Sequence, residues 1–197
     1  MQATQHILLV KPASFGFNTE TATSNGFQQL IDLNTEEVQQ KVNAEFVEFV
    51  HTLTAKGINV MVMEDTIFPV KPDAIFPNNW ASYHADGTII LYPMCAPNRR
   101  AEKRTDIIEA IRQQFKVLNI IDLSEYEKEN RFLEGTDSII FDHINKFAFA
   151  CSSPRTDKLL FEELTLRLNY LPVSFNAFDK QGKAIYHTNV MMCIAEK

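Results

Sequence analysis

The sequence predicts an α/β fold assembled from repeated hairpin–helix–strand units, and three observations carry that expectation. Short apolar runs with strand character alternate with stretches of helical periodicity. Asp86-Gly87 separates two such runs, which is the signal of a tight hairpin. Phe76 and Phe132, Cys95 and Cys151, Arg99 and Arg155, and Val117 and Val173 each stand 56 positions apart. Like residues at like joints at a fixed period mark stacked units.

The elements follow in order. Ile7-Leu8-Leu9-Val10 is an apolar run closed by Lys11-Pro12 and reads as a buried strand. The aromatic, Gly and Asn mixture from Ala13 to Asn18 is a loop, either a connector or a flap over a pocket. Asn34-Thr35-Glu36-Glu37 has the form of a capping box. It opens a helix with Val38, Val42, Phe46, Phe49, Val50 and Leu53 inward, stopped at Gly57. A strand from Ile58 to Met63 completes the first unit, whose beginning is rearranged.

In the second unit, runs from Trp80 to His84 and Thr88 to Tyr92 form a hairpin, with Trp80 and Tyr83 packing on the sheet. A helix from about Arg99 to Phe115 carries Ile107, Ile108, Ile111 and Phe115 inward, and Val117 to Ile121 is its closing strand. The third unit repeats the plan: a hairpin from Ser138 to Asp142 and Phe147 to Cys151, a helix bearing Leu159, Leu160, Leu164 and Leu168, and a strand from Val173 to Phe175. Asn189 to Ile194 reads as the first strand of a fourth unit. The chain then stops at Ala195-Glu196-Lys197, where a turn is expected, so it reads as incomplete.

With 197 residues, 45% hydrophobic and 22% charged, the chain has the composition of a single soluble domain over 1–197. A net charge of −6 gives nucleic acid no basic footprint to hold. No apolar run has the length to span a bilayer, so no membrane partner is expected. Three cysteines, an odd number, fit a reducing cytoplasm better than a disulfide framework. Metal-ligand spacing, a P-loop and a dinucleotide fingerprint are all lacking, so no cofactor is expected. Sheet edges left uncovered predict self-association, a homo-oligomer being the expected form.

Rotation of like units about an axis brings equivalent joints together, so residues just before each hairpin are the ones to read for chemistry. These are Asn78 and Asn79, Glu134, and His187. Arg99 and Arg155 stand at matched positions after the hairpins. Arginine recognises carboxylates bidentately, which makes both candidates for a substrate α-carboxylate; a helix-start arginine pairing with its own acid is the competing reading. The set fits a pocket for a zwitterionic amino acid.

Several segments carry a resemblance as a set. They are Pro72-Asp73-Ala74-Ile75-Phe76-Pro77-Asn78-Asn79-Trp80, Ala96-Pro97-Asn98-Arg99-Arg100-Ala101-Glu102, Leu133-Glu134-Gly135-Thr136-Asp137, Ser153-Pro154-Arg155-Thr156 and Tyr186-His187-Thr188-Asn189-Val190. Over essentially the whole chain this resembles the amidinotransferase, dimethylarginine hydrolase and arginine deiminase superfamily, nearest its bacterial citrulline-utilising branch. That resemblance implies a pentein-type α/β propeller, here about three units plus the first strand of a fourth.

It also implies a cysteine thiolate that attacks a guanidino carbon. A histidine protonates the leaving amine and then activates water, and carboxylates clamp the guanidinium nitrogens. On the matching positions His187 is the acid/base and Glu134 the substrate carboxylate. Asn79, Asn78, Asp73 and the Phe15 flap contact substrate, Arg99 and Arg155 hold its α-carboxylate, and Asp137 and Asn189 support them from behind.

The family nucleophile falls beyond Lys197. On an extended strand Cys193 is roughly 20 Å from His187, and all three cysteines read as buried small hydrophobes. Many relatives carry an acid where Asn79 stands, so an uncharged amide there suits a ureido substrate such as citrulline. The expected activity is hydrolysis of a linear C–N bond in a guanidino or ureido amino acid. The alternatives are amidino transfer to an amine and a non-catalytic ligand-binding or assembly protein.

Overall fold

The computed structural model describes residues 2–26, 28, 29 and 34–195. The chain divides into one unit made of Met1–Ala3, Asn78–Cys95 and Lys103–Lys197 and another made of Thr4–Pro77 with Ala96–Glu102.

In the Thr4–Pro77 unit, β1 (His6–Lys11) runs parallel to β2 (Asn59–Glu64), with His6 opposite Asn59 and Lys11 opposite Glu64. Parallel partners need a long crossover, and α1 (Thr35–Ala55) supplies it. Asn34 caps α1, its Oδ1 accepting the Glu37 N–H at 2.8 Å. At the other end Gly57 takes φ +82°, and the Gly57 and Ile58 N–H groups return to the Thr54 and Leu53 carbonyls at 2.9 and 3.1 Å. That pair of bonds satisfies the last open carbonyls of the helix. Phe46 is buried as expected, but Phe49 is 52% exposed. A sheet of two strands covers a narrower stripe of the helix than the periodicity allowed for.

The other unit holds two sheets of identical plan. β3 (Ala81–Tyr83) and β4 (Thr88–Leu91) form the expected antiparallel hairpin, with β5 (Asn119–Asp122) parallel to β4. β6 (Ile140–Asp142) and β7 (Phe147–Cys151) repeat the hairpin, with β8 (Leu171–Phe175) parallel to β7. Each closing strand is delivered by a helix, α2 (Thr105–Gln114) and α4 (Lys158–Arg167), as a parallel return requires. Ile90, Tyr92, Ile121, Phe141, Leu160 and Phe161 belong to one continuous core between the sheets and α4. Trp80 is buried as expected, whereas Tyr83 is 41% exposed.

Three helix expectations need correction. The helix read from Arg99 to Phe115 is broken into a 3-10 stretch, Pro97–Glu102, and α2. The tighter turn eclipses residues three apart, which brings Arg99 onto Glu102, and Arg104 then turns extended. Phe115 is 40% exposed because it leaves the helix with extended backbone, φ −129° and ψ 150°. Leu159 is 67% exposed, since the inward face of α4 runs through Leu160, Phe161 and Leu164.

The fourth-unit strand is also corrected. Thr188–Val190 is a short 3-10 turn, and no strand lies between 189 and 194. A strand needs a neighbour for its N–H and C=O groups. Here the Met191 and Met192 N–H groups turn back instead to the Thr188 carbonyl at 3.1 and 3.2 Å. The extended spacing between His187 and Cys193 therefore does not apply; of the three cysteines expected to be buried only Cys151 is, Cys95 being half-buried and Cys193 exposed because it follows a turn with no strand partner. The turn expected at Ala195-Glu196-Lys197 reaches outside the described residues.

Candidate functional site

Phe132–Phe141 does not form a simple β-turn before its strand. Leu133 is anchored by its N–H on the Pro93 carbonyl at 3.1 Å, and a single helical turn, α3 (Gly135–Ser138), follows. Gly135 adopts φ +50°, and a Cβ there would stand 2.1 Å from the Asn78 carbonyl oxygen. Only glycine allows this approach, and the approach sets the Asn78-Asn79 backbone against the Glu134–Asp137 turn.

The Glu134 side chain is therefore fully buried. A carboxylate there is tolerable only with hydrogen-bonding or cationic partners. Oε1 accepts the Cys95 N–H at 3.0 Å, while Oε2 lies 2.7 Å from His187 Nε2 and 3.5 Å from Arg155 Nη1. His187 Nδ1 is 3.4 Å from Asp137 Oδ2. Both ring nitrogens thus face carboxylates, the arrangement that suits an imidazolium with two N–H donors. Burial pushes the His187 pKa down, but the hydrogen bonds and charges of Asp137 and Glu134 outweigh it and hold it above the ordinary histidine value.

Asp137 gathers more than the imidazole. Asn78 Nδ2 and Asn189 Nδ2 both reach Oδ1 at 2.5 Å, and Asn79 Nδ2 donates to Oδ2. Thr188 fixes the neighbouring backbone: its Oγ1 donates to the Ser138 carbonyl at 2.6 Å and accepts the Cys151 N–H at 2.9 Å. Arg155 is buried, with its guanidinium carbon 5.0 Å from the Tyr186 ring centroid.

His187, Glu134, Asp137, Asn78, Asn79, Asn189 and Arg155 therefore form one cluster. Asp137, read as a background support, touches the histidine directly. Thr188, Tyr186 and the Cys95 N–H were missed as site groups. The first two adjoin His187 in sequence, whereas a backbone donor leaves no residue-type signal.

In the Thr4–Pro77 unit a second polar group forms. Arg99 meets Glu102 with two parallel bonds, Nε to Oε1 and Nη2 to Oε2, both 2.9 Å, with Asp73 Oδ2 3.6 Å from Nε. This is the pairing with a nearby acid that competed with the substrate reading, and in this geometry Glu102 occupies the guanidinium fork. Asp73 Oδ2 also accepts Asn18 Nδ2 at 2.7 Å, and Asn98 Nδ2 donates to Asn18 Oδ1 at 2.8 Å. Phe15 is half-buried, its N–H held by Gln39 Oε1 at 2.8 Å. The loop from Phe15 is thus tied down rather than loose. Asn18 closes the loop read as a connector or flap, and Asn98 carries no sequence signal of a role of its own; their hydrogen-bond partners lie far off in sequence.

Among the described residues no group of three or more His, Cys, Asp or Glu stands ready to hold a metal ion. None of the described helices is long and apolar enough to cross a membrane.

The repeated hairpin–helix–strand plan is that of the guanidino-modifying penteins, and solved structures agree on the fold. The dimethylarginine dimethylaminohydrolase of Pseudomonas aeruginosa, a cysteine-to-serine variant complexed with citrulline, superimposes with a TM-score of 0.61 at 17% identity, over 96% of this chain and 65% of that one. Two structures of the N-terminal domain of ArgZ, an arginine dihydrolase of cyanobacteria, each give 0.67 at 14% identity, over 91% of this chain and 60% of theirs. One is a cysteine-to-serine variant bound to substrate, the other an asparagine-to-serine variant covalently bound to a reaction intermediate.

The family model described as N,N dimethylarginine dimethylhydrolase, eukaryotic, matches residues 11–197, and the chain belongs to that family. A curated protein, the mitochondrial heat shock protein 75 kDa of Rattus norvegicus, is 30% identical over 96 residues, 44% of this chain and 14% of that protein. So small a share carries no function across.

Proposed function

We propose that this chain carries the acid/base and recognition groups of a hydrolase that cleaves a C–N bond in the guanidino group of arginine or a methylated arginine. The observation that carries the proposal is the buried His187 imidazole held between Glu134 and Asp137. A guanidinium is a poor electrophile, because resonance stabilises it and its amine leaves badly unless protonated.

In the proposed sequence a cysteine thiolate forms a C–S bond to the guanidino carbon. The C–N bond then breaks as His187 gives its proton to the departing nitrogen. His187 next takes a proton from water, which attacks the same carbon and breaks the C–S bond. The products are an amine, a ureido amino acid and the regenerated thiolate. Cysteine replacement in the neighbours caught with citrulline and with substrate, and the covalent intermediate in another, support this chemistry. Glu134 acts here by holding and charging the imidazole, and Arg155 by neutralising Glu134.

The test is calorimetric binding of arginine, dimethylarginine and citrulline to the 197-residue chain, with released amine assayed in parallel on a form of the protein that includes the nucleophilic cysteine. Binding of a guanidino amino acid, with amine release blocked by a thiol-alkylating reagent and cut about 100-fold or more in His187→Ala, is the expected result. Release unaffected by either change overturns the assigned roles. Formation of a new guanidino product when an acceptor amine is added marks transfer rather than hydrolysis.

A further inference from the structure

Asp137 stands among three asparagine side chains that come from two separate stretches of sequence. Asn78 and Asn79 precede β3, and Asn189 follows His187. All three present Nδ2 to its two oxygens. A carboxylate only accepts hydrogen bonds, so an asparagine beside it turns its N–H2 end inward. The amide oxygen then points the other way. Asn78 and Asn189 are exposed side chains, and so offer acceptors outward. Glu134, the other polar group nearest His187, is itself an acceptor.

From this arrangement we infer that Asp137 is the residue that sets head-group specificity, turning Asn78 and Asn189 into outward acceptors that select a donor-only guanidinium over a ureido group of the same shape. The inference rests on the proposed function and reverses one sequence expectation about it. An amide in place of an acid at Asn79 suggested a ureido substrate on the ground that an amide can donate or accept. Asp137 removes that choice by engaging the donor end. A ureido oxygen brought to the outward amide oxygens meets acceptor against acceptor, a mismatch that costs affinity. After hydrolysis the same mismatch weakens the hold on a ureido product, which favours its release.

The measurement is the ratio of affinities for arginine and citrulline, and for methylguanidine and N-methylurea as bare head groups, in the wild-type chain, Asp137→Asn and Asn78→Ala. The wild type is expected to favour the guanidino member of each pair at least tenfold. Asp137→Asn, which lets a neighbouring amide rotate and donate, is expected to shrink that preference at least tenfold. Asn78→Ala, at an exposed residue and with folding checked by circular dichroism, is expected to weaken the guanidino ligands several-fold and leave the ureido ligands unchanged. Equal loss for both ligand types in either variant marks Asp137 as merely structural and overturns the inference. A wild type that binds citrulline as well as arginine overturns it while leaving the proposed function standing, and binding of neither overturns both.

Discussion

His187 Nε2 lies 2.7 Å from Glu134 Oε2, and the two residues, 53 positions apart in sequence, are both almost wholly buried. A histidine whose folded pKa is raised gives the protein stability that is fully present below the ordinary histidine pKa. That stability is lost as pH climbs through the raised folded value, because the folded state must then give up a proton the unfolded state has already lost. Melting temperature should therefore fall from pH 6 upward through this window. His187→Gln should flatten that part of the profile, and a wild-type curve already flat there would count against the clamped imidazolium.

Arg99 and Glu102 are buried and joined by two parallel bonds. Removing one partner leaves a buried charge uncompensated, a change that costs about 3–5 kcal/mol. Arg99→Ala should lower the urea midpoint by that order, and Glu102→Gln, which keeps an acceptor in place, should cost less. Equal stability of Arg99→Ala and wild type would show the pair to be solvated.

Thr188→Val removes the hydroxyl shared by the Ser138 carbonyl and the Cys151 N–H while preserving shape. Two buried backbone groups lose their partner, each worth about 1–3 kcal/mol. Denaturant unfolding should show a loss of about 2–6 kcal/mol for the two together, with the slope unchanged because the exposed surface is the same. Loss of His187 protection in the same variant would tie the hydroxyl to the site as well as to the fold.

Gly135→Ala should destabilise by more than about 1 kcal/mol, since its left-handed backbone is strained for any side chain and the new Cβ meets the Asn78 carbonyl. Gly57→Ala serves as the control: its φ is also positive, but open space surrounds it. A difference between the two variants isolates the contact from the backbone term.

Asn34→Ala should cost about 1 kcal/mol through the lost cap on α1, and Asn34→Asp little. Helical circular dichroism on melting checks both.

The period of 56 predicted that Cys95 and Cys151, Arg99 and Arg155 occupy like joints, and the two sheets β3-β4-β5 and β6-β7-β8 do share one plan. Asp86-Gly87 and Asn34 carried their turn and cap in local chemistry, which tertiary packing left untouched. Phe49, Phe115 and Leu159 misled because periodicity says which side chains share a face but not how much of that face another element covers. Asn189–Ile194 misled for the same reason, since an apolar run says nothing about whether a strand partner exists.

Sequence alone fixed the family, the α/β plan, and Glu134 and His187 as the pair to examine, because each depends on residue types at set spacings. Three things were decided only by tertiary structure: that Asp137 faces the imidazole, that three asparagine amides turn their donors to it, and that Glu102 fills the Arg99 fork. Hydrogen-bond direction and occupancy depend on which groups meet across long sequence separations, and no local pattern encodes that meeting.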